Sequence, residues 1–168
     1  MLKTRYLIAF LILLACGCSI SYKFNGASID YTKVKSISIK DFPNMAALVY
    51  APLSNLLTEQ LKDKYTRQTR LQVLRENGTL DLEGEITGYD FSSQAVKDGM
   101  YASMTRLTIT VRVRFTNTAN PDEDFEQSFS GYREFSNENQ IQQVQADLSE
   151  EIIKEIVDQI YNATVANW

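Results

Sequence analysis

A chain of 168 residues with 44% hydrophobic residues is long enough for one domain with its own core, so neither a disordered tail nor a disulfide-dependent scaffold is expected. The formal net charge is −4 and no stretch is strongly basic, which argues against a nucleic-acid-binding protein. Histidine is absent, so the commonest general base and metal ligand is missing.

Residues 1–17 have the anatomy of a secretory signal peptide. Lys3 and Arg5 precede an apolar run over residues 6–15, which is too short to span a bilayer as a helix. Small residues and then a cysteine follow, a pattern that resembles the lipobox of bacterial lipoproteins. Removal of residues 1–17, which contain no acidic residue, takes the net charge from −4 to −6. We expect a single periplasmic α+β domain over residues 18–168.

Two cysteines compete as the lipidated residue. Cys16 has Leu at −3 and Ala at −1 and fits the lipobox better, whereas Cys18 has Ala at −3 and Gly at −1. An ordinary secretory signal with two bystander cysteines is the third interpretation.

Each buried methylene adds about 0.8 kcal/mol of membrane affinity, so two or more acyl chains anchor stably. The residues after either cysteine are not acidic, and we therefore expect a lipid-anchored protein of the outer membrane that faces the periplasm.

The sequence of the first half of the domain predicts a strand, a helix and a second strand. Residues 33–40 alternate as a strand, which the Pro-containing segment 41–44 ends. Pro52 suits the first turn of a helix, and leucines follow it at helical spacing. Residues 71–74 form a short strand, and Asn77-Gly78 predicts a hairpin turn.

Two predicted strands follow in which apolar and polar residues alternate, and the predicted sheet is built around them. In residues 79–91, acidic residues alternate with apolar ones, and Gly84 and Gly88 suggest a bulge. In residues 101–116, every odd position from 107 to 115 is apolar, and the even positions carry Arg106, Arg112 and Arg114. If these strands pair, an acidic row faces a basic row on an open sheet face.

The last predicted elements are a long hairpin loop over residues 90–103, a strand over residues 125–135 and a C-terminal helix. Asn137 and Gln140 have the spacing of a helix cap. The element order predicts an α+β, two-layer sandwich, with a mixed four- to five-stranded sheet and two helices packed on one face.

The candidate binding residues lie on and beside the two alternating strands. Asp81, Glu83 and Glu85 could serve as an acid/base or divalent-ion site, but cross-strand pairing with Arg106, Arg112 and Arg114 is the main interpretation. Guanidinium groups also grip phosphates, so these three arginines and Lys97 are candidate contacts for a glycolipid phosphate. The aromatic residues Phe91 and Tyr101 are candidate partner contacts, unless they fold back onto the core.

No motif in the sequence predicts catalysis. There is no Gly-x-Ser-x-Gly elbow, no phosphate loop and no Gly-x-Gly-x-x-Gly run. We therefore expect no catalytic residue, no metal site and no cofactor, and a hydrolase is the least favoured class.

Several runs resemble the lipopolysaccharide-assembly lipoprotein family (LptE), in its Bacteroidetes branch. They are residues 18–29 (CSISYKFNGASI), 37–39 and 41–44 (ISI, DFPN), 82–86 (LEGEI) and 162–168 (NATVANW). The resemblance favours Cys18 as the lipidated residue. It implies an outer-membrane lipoprotein that plugs a large β-barrel translocon (LptD) and helps deliver lipopolysaccharide to the outer leaflet. Some members bind lipopolysaccharide through basic residues.

The expected function is therefore to plug and assist a β-barrel lipopolysaccharide translocon, with direct lipopolysaccharide contact possible. The alternative is a free-standing periplasmic lipid- or glycolipid-binding lipoprotein, which would require an apolar pocket. The sequence shows no surplus of apolar residues for such a pocket.

Overall fold

The computed structural model describes residues 29–94 and 103–166, which contain a five-stranded sheet and two long helices. A 3₁₀ turn at Pro121–Glu123 precedes the last strand, and a π-helical turn at Asn162–Ala166 follows the last helix. The elements in chain order are β1 (Ser36–Ile39), α1 (Pro52–Gln68), β2 (Gln72–Leu74), β3 (Leu80–Gln94), β4 (Met104–Asn117), β5 (Phe125–Ser136) and α2 (Ile141–Tyr161).

The sheet is mixed, with the strand order β2-β1-β3-β4-β5. Strand β1 runs parallel to both β2 and β3, and β3, β4 and β5 form antiparallel pairs. Both helices pack on one face, which confirms the predicted α+β two-layer architecture. Within the described residues, neither helix has the length and apolarity needed to cross a membrane.

The β3–β4 ladder has the alternation that the sequence predicts. Every odd residue of β4 from Leu107 to Phe115 is buried, and the residues between them are half-buried or exposed. Glu83 lies opposite Arg114, and Glu85 lies opposite Arg112. The acidic and basic rows therefore do share one face, because a period of two places alternate residues on opposite sides of a sheet.

The two helices cover the sheet face opposite the acidic and basic rows and close the core there. Leu53, Leu57, Leu61 and Tyr65 of α1 are fully buried, as are Ile152, Ile153, Ile156 and Ile160 of α2. The helices also contact each other at their C-terminal ends, where Lys64 forms an ion pair with Asp158 at 2.7 Å.

The bulge in β3 falls between Ile86 and Gly88, and Gly84 serves a different purpose. A Cβ atom at position 84 would lie 2.2 Å from the carbonyl oxygen of Arg112 and 2.7 Å from Cε1 of Phe42. Phe42 is fully buried, and its N–H donates to the Thr58 hydroxyl at 3.2 Å. Gly84 thus leaves room for an aromatic ring that ties the 41–44 segment to the sheet and to α1.

The predicted hairpin at Asn77-Gly78 is wrong. Strands β2 and β3 lie on opposite sides of β1 and run in the same direction, so the chain crosses over β1 between them. Asn77 has a φ of 60°, and Gly78 passes directly over the β1 backbone. The hydroxyl of Ser38 accepts the N–H of Gly78 at 3.2 Å, which fastens the crossing segment to β1. A turn signal specifies a local reversal of direction but not which strand becomes the neighbour.

The predicted cap and the predicted long loop also differ from the structure. Gln140 is the residue at the start of α2, and it makes no side-chain cap bond. The Asn137 side chain instead bonds the hydroxyls of Thr105 at 2.6 Å and Ser103 at 2.8 Å, because the end of β5 lies beside the start of β4. Strand β3 continues to Gln94 and β4 begins at Met104, so the connection is shorter than residues 90–103.

The crossing over β1 predicts a strict requirement for glycine at position 78. A Cβ there would lie 2.3 Å from the Ser38 nitrogen and 2.7 Å from the Ile37 carbonyl carbon, and neither backbone atom can move away. We expect Gly78→Ala to lower the free energy of unfolding by at least about 2 kcal/mol in urea titrations. Gly88→Ala is the control, because its nearest neighbour, at 3.0 Å, is the flexible Asp90 carboxylate. Equal losses in the two variants would contradict this interpretation.

The buried phenol of Tyr65 should make the free energy of unfolding depend on pH. Burial raises the pKa of its phenol above the ordinary value of 10, and its hydroxyl bonds Thr164. Above pH 10 the unfolded chain loses a proton that the folded chain keeps, so this contribution to stability is complete below pH 10 and falls as the pH rises, by up to about 1.4 kcal/mol per pH unit. Tyr65→Phe should cost about 1 kcal/mol at pH 7 and progressively less above pH 10. A cost that does not depend on pH would refute the assignment.

Candidate functional site

The face of the sheet opposite the helices is open and carries most of the predicted site residues. The part of this face that lies level with β1 is a charged face that extends across the sheet from β1 to β5. We define it by Lys40, Asp81, Glu83, Glu85, Arg112, Arg114 and Glu126. The alternation of β3, β4 and β5 puts these side chains on the side away from the core. A shallow groove of about 240 Å³ runs between them and is lined almost entirely by charged groups.

The cations of the charged face are all bound by carboxylates. Arg114 reaches Glu83 at 3.2 Å and Glu126 at 3.0 Å. Arg112 pairs with Glu85 directly across the ladder. Lys40, which follows β1, lies 2.6 Å from Glu83 and 3.3 Å from Asp81. The face is therefore a continuous network of ion pairs from β1 to β5.

The protonation of this network reflects its hydrogen bonds. The bond from Arg114 to Glu126 raises the pKa of the guanidinium, and the bond from Lys40 to Glu83 raises the pKa of the ammonium. Both groups thus stay charged at any physiological pH. Carboxylates outnumber cations on the charged face, so an incoming phosphate would have to displace a carboxylate before it could bind an arginine.

Arg106 shares the strand face with the other two arginines but not their network. It lies six residues from Arg112, about 20 Å along the strand. Its neighbour in β3 is Ser92, so its predicted pairing with the acidic row is wrong. It bonds Glu134 of β5 at 2.6 Å, and its guanidinium lies 4.2 Å from the centre of the exposed Tyr132 ring. The three candidate arginines thus form a pair and an outlier instead of one cluster.

Sequence reasoning missed the partners that β5 and β1 contribute. Glu126 and Glu134 bind the arginines of β4, and Lys40 binds the acids of β3. The alternation of β5 carried a weak signal for the two glutamates, because both lie at even positions, whereas the odd positions 125, 129 and 135 are phenylalanine. Lys40 had no comparable signal, since only the parallel pairing of β1 with β3 brings it beside Glu83.

Phe91 belongs to a second feature, an apolar end of the domain, which we define by Met45, Leu48, Val49 and Phe91. The Phe91 ring packs edge-on against Tyr89 and Phe135, yet 36% of the residue remains exposed. Met45, Leu48 and Val49 are 65%, 52% and 69% exposed. They lie beside β3, because Met45 donates its N–H to the Ile86 carbonyl and the Tyr50 ring stacks on Tyr89. Sequence analysis did not single out these three residues.

Other predicted site residues lie outside the described residues. They are Cys16, Cys18, Lys97 and Tyr101, together with the predicted signal peptide over residues 1–17. Within residues 29–94 and 103–166, no group of three or more acidic, cysteine or histidine side chains is arranged to hold a metal ion.

The ion pairs of the charged face should contribute little to stability. Exposed pairs are worth about 0.2–1 kcal/mol, because water and salt screen them. In a double-mutant cycle of Glu85→Gln and Arg112→Gln, we expect a coupling energy below about 1 kcal/mol that disappears in 1 M salt. Glu59→Gln with Lys62→Gln is the control pair within one helix. A coupling above about 2 kcal/mol would show that the network holds the sheet together.

The fold resembles known lipoprotein structures at low sequence identity. A minor lipoprotein from Acinetobacter baumannii aligns with a TM-score of 0.50 and 17% identity over 77% of this chain and 94% of that one. The rare lipoprotein B from Shewanella oneidensis aligns with a TM-score of 0.51 and 12% identity over 77% and 92% of the two chains. These similarities establish the fold alone. The sequence has no significant match among curated proteins.

The family comparison is more specific than the structural one. The family described as "LptE: Lipopolysaccharide-assembly" matches residues 34–164, which include both helices, all five strands and the whole charged face. This match spans most of the chain, and the chain therefore belongs to the LptE lipopolysaccharide-assembly family.

Proposed function

We propose that this protein is an envelope lipoprotein of lipopolysaccharide assembly that plugs and assists an LptD-like β-barrel translocon. Family membership supports the role in lipopolysaccharide assembly, and it carries the proposal. The more specific role, a plug inside a barrel, rests on the charged face.

The charged face suits a polar enclosure. Large outer-membrane barrels have water-filled, polar interiors, whereas the hydrocarbon region accepts no unpaired charge. The open side of this sheet offers alternating cations and carboxylates without an apolar layer. Such a surface can lie against a polar wall and exchange its ion pairs for new ones at little cost, because each pair is individually weak.

We extend the proposal to the anchor and the location. Residues 1–17 act as the signal peptide, Cys18 carries the lipid, with Cys16 as the alternative, and residues 18–168 form the periplasmic domain on the inner side of the outer membrane. Placement in the Bacteroidetes branch stays a prediction that depends on the runs at residues 18–29, 37–39, 41–44, 82–86 and 162–168. A binding and assembly role requires no catalytic step, in agreement with the non-enzymatic character of the family.

Direct glycolipid contact is a further part of the proposal, with a condition attached. Arg106, Arg112 and Arg114, together with Lys97, would bind phosphates of the glycolipid. Each of the three arginines already bonds a glutamate, so binding requires those glutamates to be displaced or drawn to a partner. The free-standing carrier is less favoured, because the residues that line four grooves in the described part of the chain are mainly charged and polar.

The plug proposal predicts stable association with a barrel. The tagged full-length protein, extracted from native outer membranes in mild detergent, should bring down an LptD-like barrel in about equal amount, identified by mass spectrometry. Glu reversals at Arg112 and Arg114 should reduce the yield, because they leave Glu85 and Glu126 without cations and leave Glu83 with Lys40 alone.

Arg67→Glu is the matched control, since Arg67 is an exposed arginine of α1 that pairs only with Asp63 among the described residues. Recovery of the wild-type protein without any barrel would refute the plug proposal and favour the carrier. Equal barrel yields from the wild type and the double reversal would show that the charged face does not contribute to barrel binding.

A further inference from the structure

Strand β3 is longer than the strand that covers its outer edge. Its partner on that side, β1, pairs with it only from Leu80 to Leu82. The 43–45 segment then adds one bridge at Ile86, where Pro43 accepts the Ile86 N–H and Met45 donates to the Ile86 carbonyl. From Thr87 to Gln94, β3 pairs with β4 alone among the described residues.

The ladder determines which backbone groups face outward along this edge. In an antiparallel pair, the N–H and C=O of every second residue point away from the partner strand. Ile86 points outward, as its bonds to the 43–45 segment show. Across the bulge, the outward residues become Tyr89, Phe91 and Ser93, since they lie opposite odd residues of β4, as Ile86 does. No described residue bonds these outward groups, and they form a row with a spacing of about 7 Å.

The other long edge of the sheet is partly guarded, at two of its outward carbonyl groups. Gln159 of α2 donates from Nε2 to the outward carbonyl of Ser130 at 3.3 Å, and Arg133 donates to the carbonyl of Tyr132 at 2.8 Å. Side chains that cap an edge strand in this way discourage pairing with another chain. Among the described residues, no side chain caps the β3 edge over residues 87–94. The two edges of the sheet therefore differ in how their backbone groups are capped.

The unguarded edge coincides with the apolar end. Met45, Leu48 and Val49 lie beside β3 where β1 no longer covers it, and Phe91 is itself one of the outward-facing residues. Among the described residues, the only large exposed hydrophobic residue elsewhere is Tyr132, which Arg106 partly covers. An unpaired backbone row and an apolar surface therefore occur together.

We propose that the β3 edge from Thr87 to Gln94 accepts an extended strand of the partner protein, with apolar side chains that pack on Met45, Leu48, Val49 and Phe91. This inference rests on the proposed function and names a second surface, besides the charged face, through which the translocon component is bound. Strand addition supplies backbone hydrogen bonds for affinity, and alternate side chains supply specificity.

The backbone row selects a strand over a lipid surface. A bilayer could cover the apolar residues, but it has no donors or acceptors for the backbone of Tyr89, Phe91 and Ser93, and each unsatisfied group would cost several kcal/mol. A partner helix satisfies its own backbone and offers nothing to the row either. Only an extended chain presents donors and acceptors at the matching interval.

Hydrogen exchange tests the proposal directly. The full-length protein, overproduced in excess of its partners and purified in detergent as a monomer, should exchange the amides of Tyr89, Phe91 and Ser93 rapidly. The same protein extracted from native outer membranes should exchange them at least about tenfold more slowly. The segment 125–132 of β5 is the internal reference and should change little. Equal exchange in both samples would overturn the proposal, as would protection already present in the monomer.

Proline substitutions test the same edge with a matched control. Ser93→Pro removes an outward N–H and blocks strand addition without loss of a β3–β4 bond, and Ser128→Pro does the same on the guarded β5 edge. Ser93→Pro should abolish the protection of Phe91 in native extracts, whereas Ser128→Pro should preserve it. Leu48→Ser with Val49→Ser is a second test that leaves the strand intact, and Tyr132→Ser is its control. Unchanged protection in both test variants would overturn the proposal.

Barrel recovery in the same extracts separates this inference from the proposed function. Recovery of the barrel with an unprotected β3 edge would refute the strand-addition site and leave the plug role standing. Protection without a barrel would refute the plug role and assign the edge to another protein. Protection that appears only when the purified chain dimerises would assign the edge to a second copy and overturn the proposal.

Discussion

The antiparallel ladder between β3 and β4 is the constraint on which the rest of this structure depends. A shift of one residue in its register would move Leu107, Ile109 and Val111 to the solvent side and the arginines into the core. Burial of one apolar face thus fixes the register, and the register fixes which glutamate meets which arginine. The charged face is therefore a consequence of how the core is built.

The two faces of the sheet contribute in different ways. The helix-covered face holds nearly all of the buried apolar side chains and the buried Tyr65–Thr164 bond, so it dominates stability. The open face carries weak, exposed ion pairs that can be exchanged without loss of the fold. A domain divided in this way can bind a polar partner with one side while the other keeps it folded.

The edges of the sheet are as distinct as its faces. Side chains from α2 and β5 cap two carbonyl groups of the β5 edge, whereas, among the described residues, β1 and the 43–45 segment cover only the first half of the β3 edge. The difference arises because β1 has four residues and β3 has fifteen. Within residues 29–94 and 103–166 nothing covers the second half of this edge, beside Leu48 and Val49. Such an edge would be a liability for a protein without a partner, and it is therefore consistent with an assembly role.

Local pattern and composition determined the strands, both helices, the two-layer class and the shared face of Glu83, Glu85, Arg112 and Arg114, because side-chain periodicity is a property of consecutive residues. Only the tertiary structure decided that the chain crosses β1 at Gly78, that Arg106 binds Glu134 instead of the acidic row, and that Lys40 joins the network. The same holds for Asn137, which a cap motif assigned to α2 and which bonds Thr105. These features depend on which strands become neighbours, and strand order is set by the packing of the whole sheet against the helices.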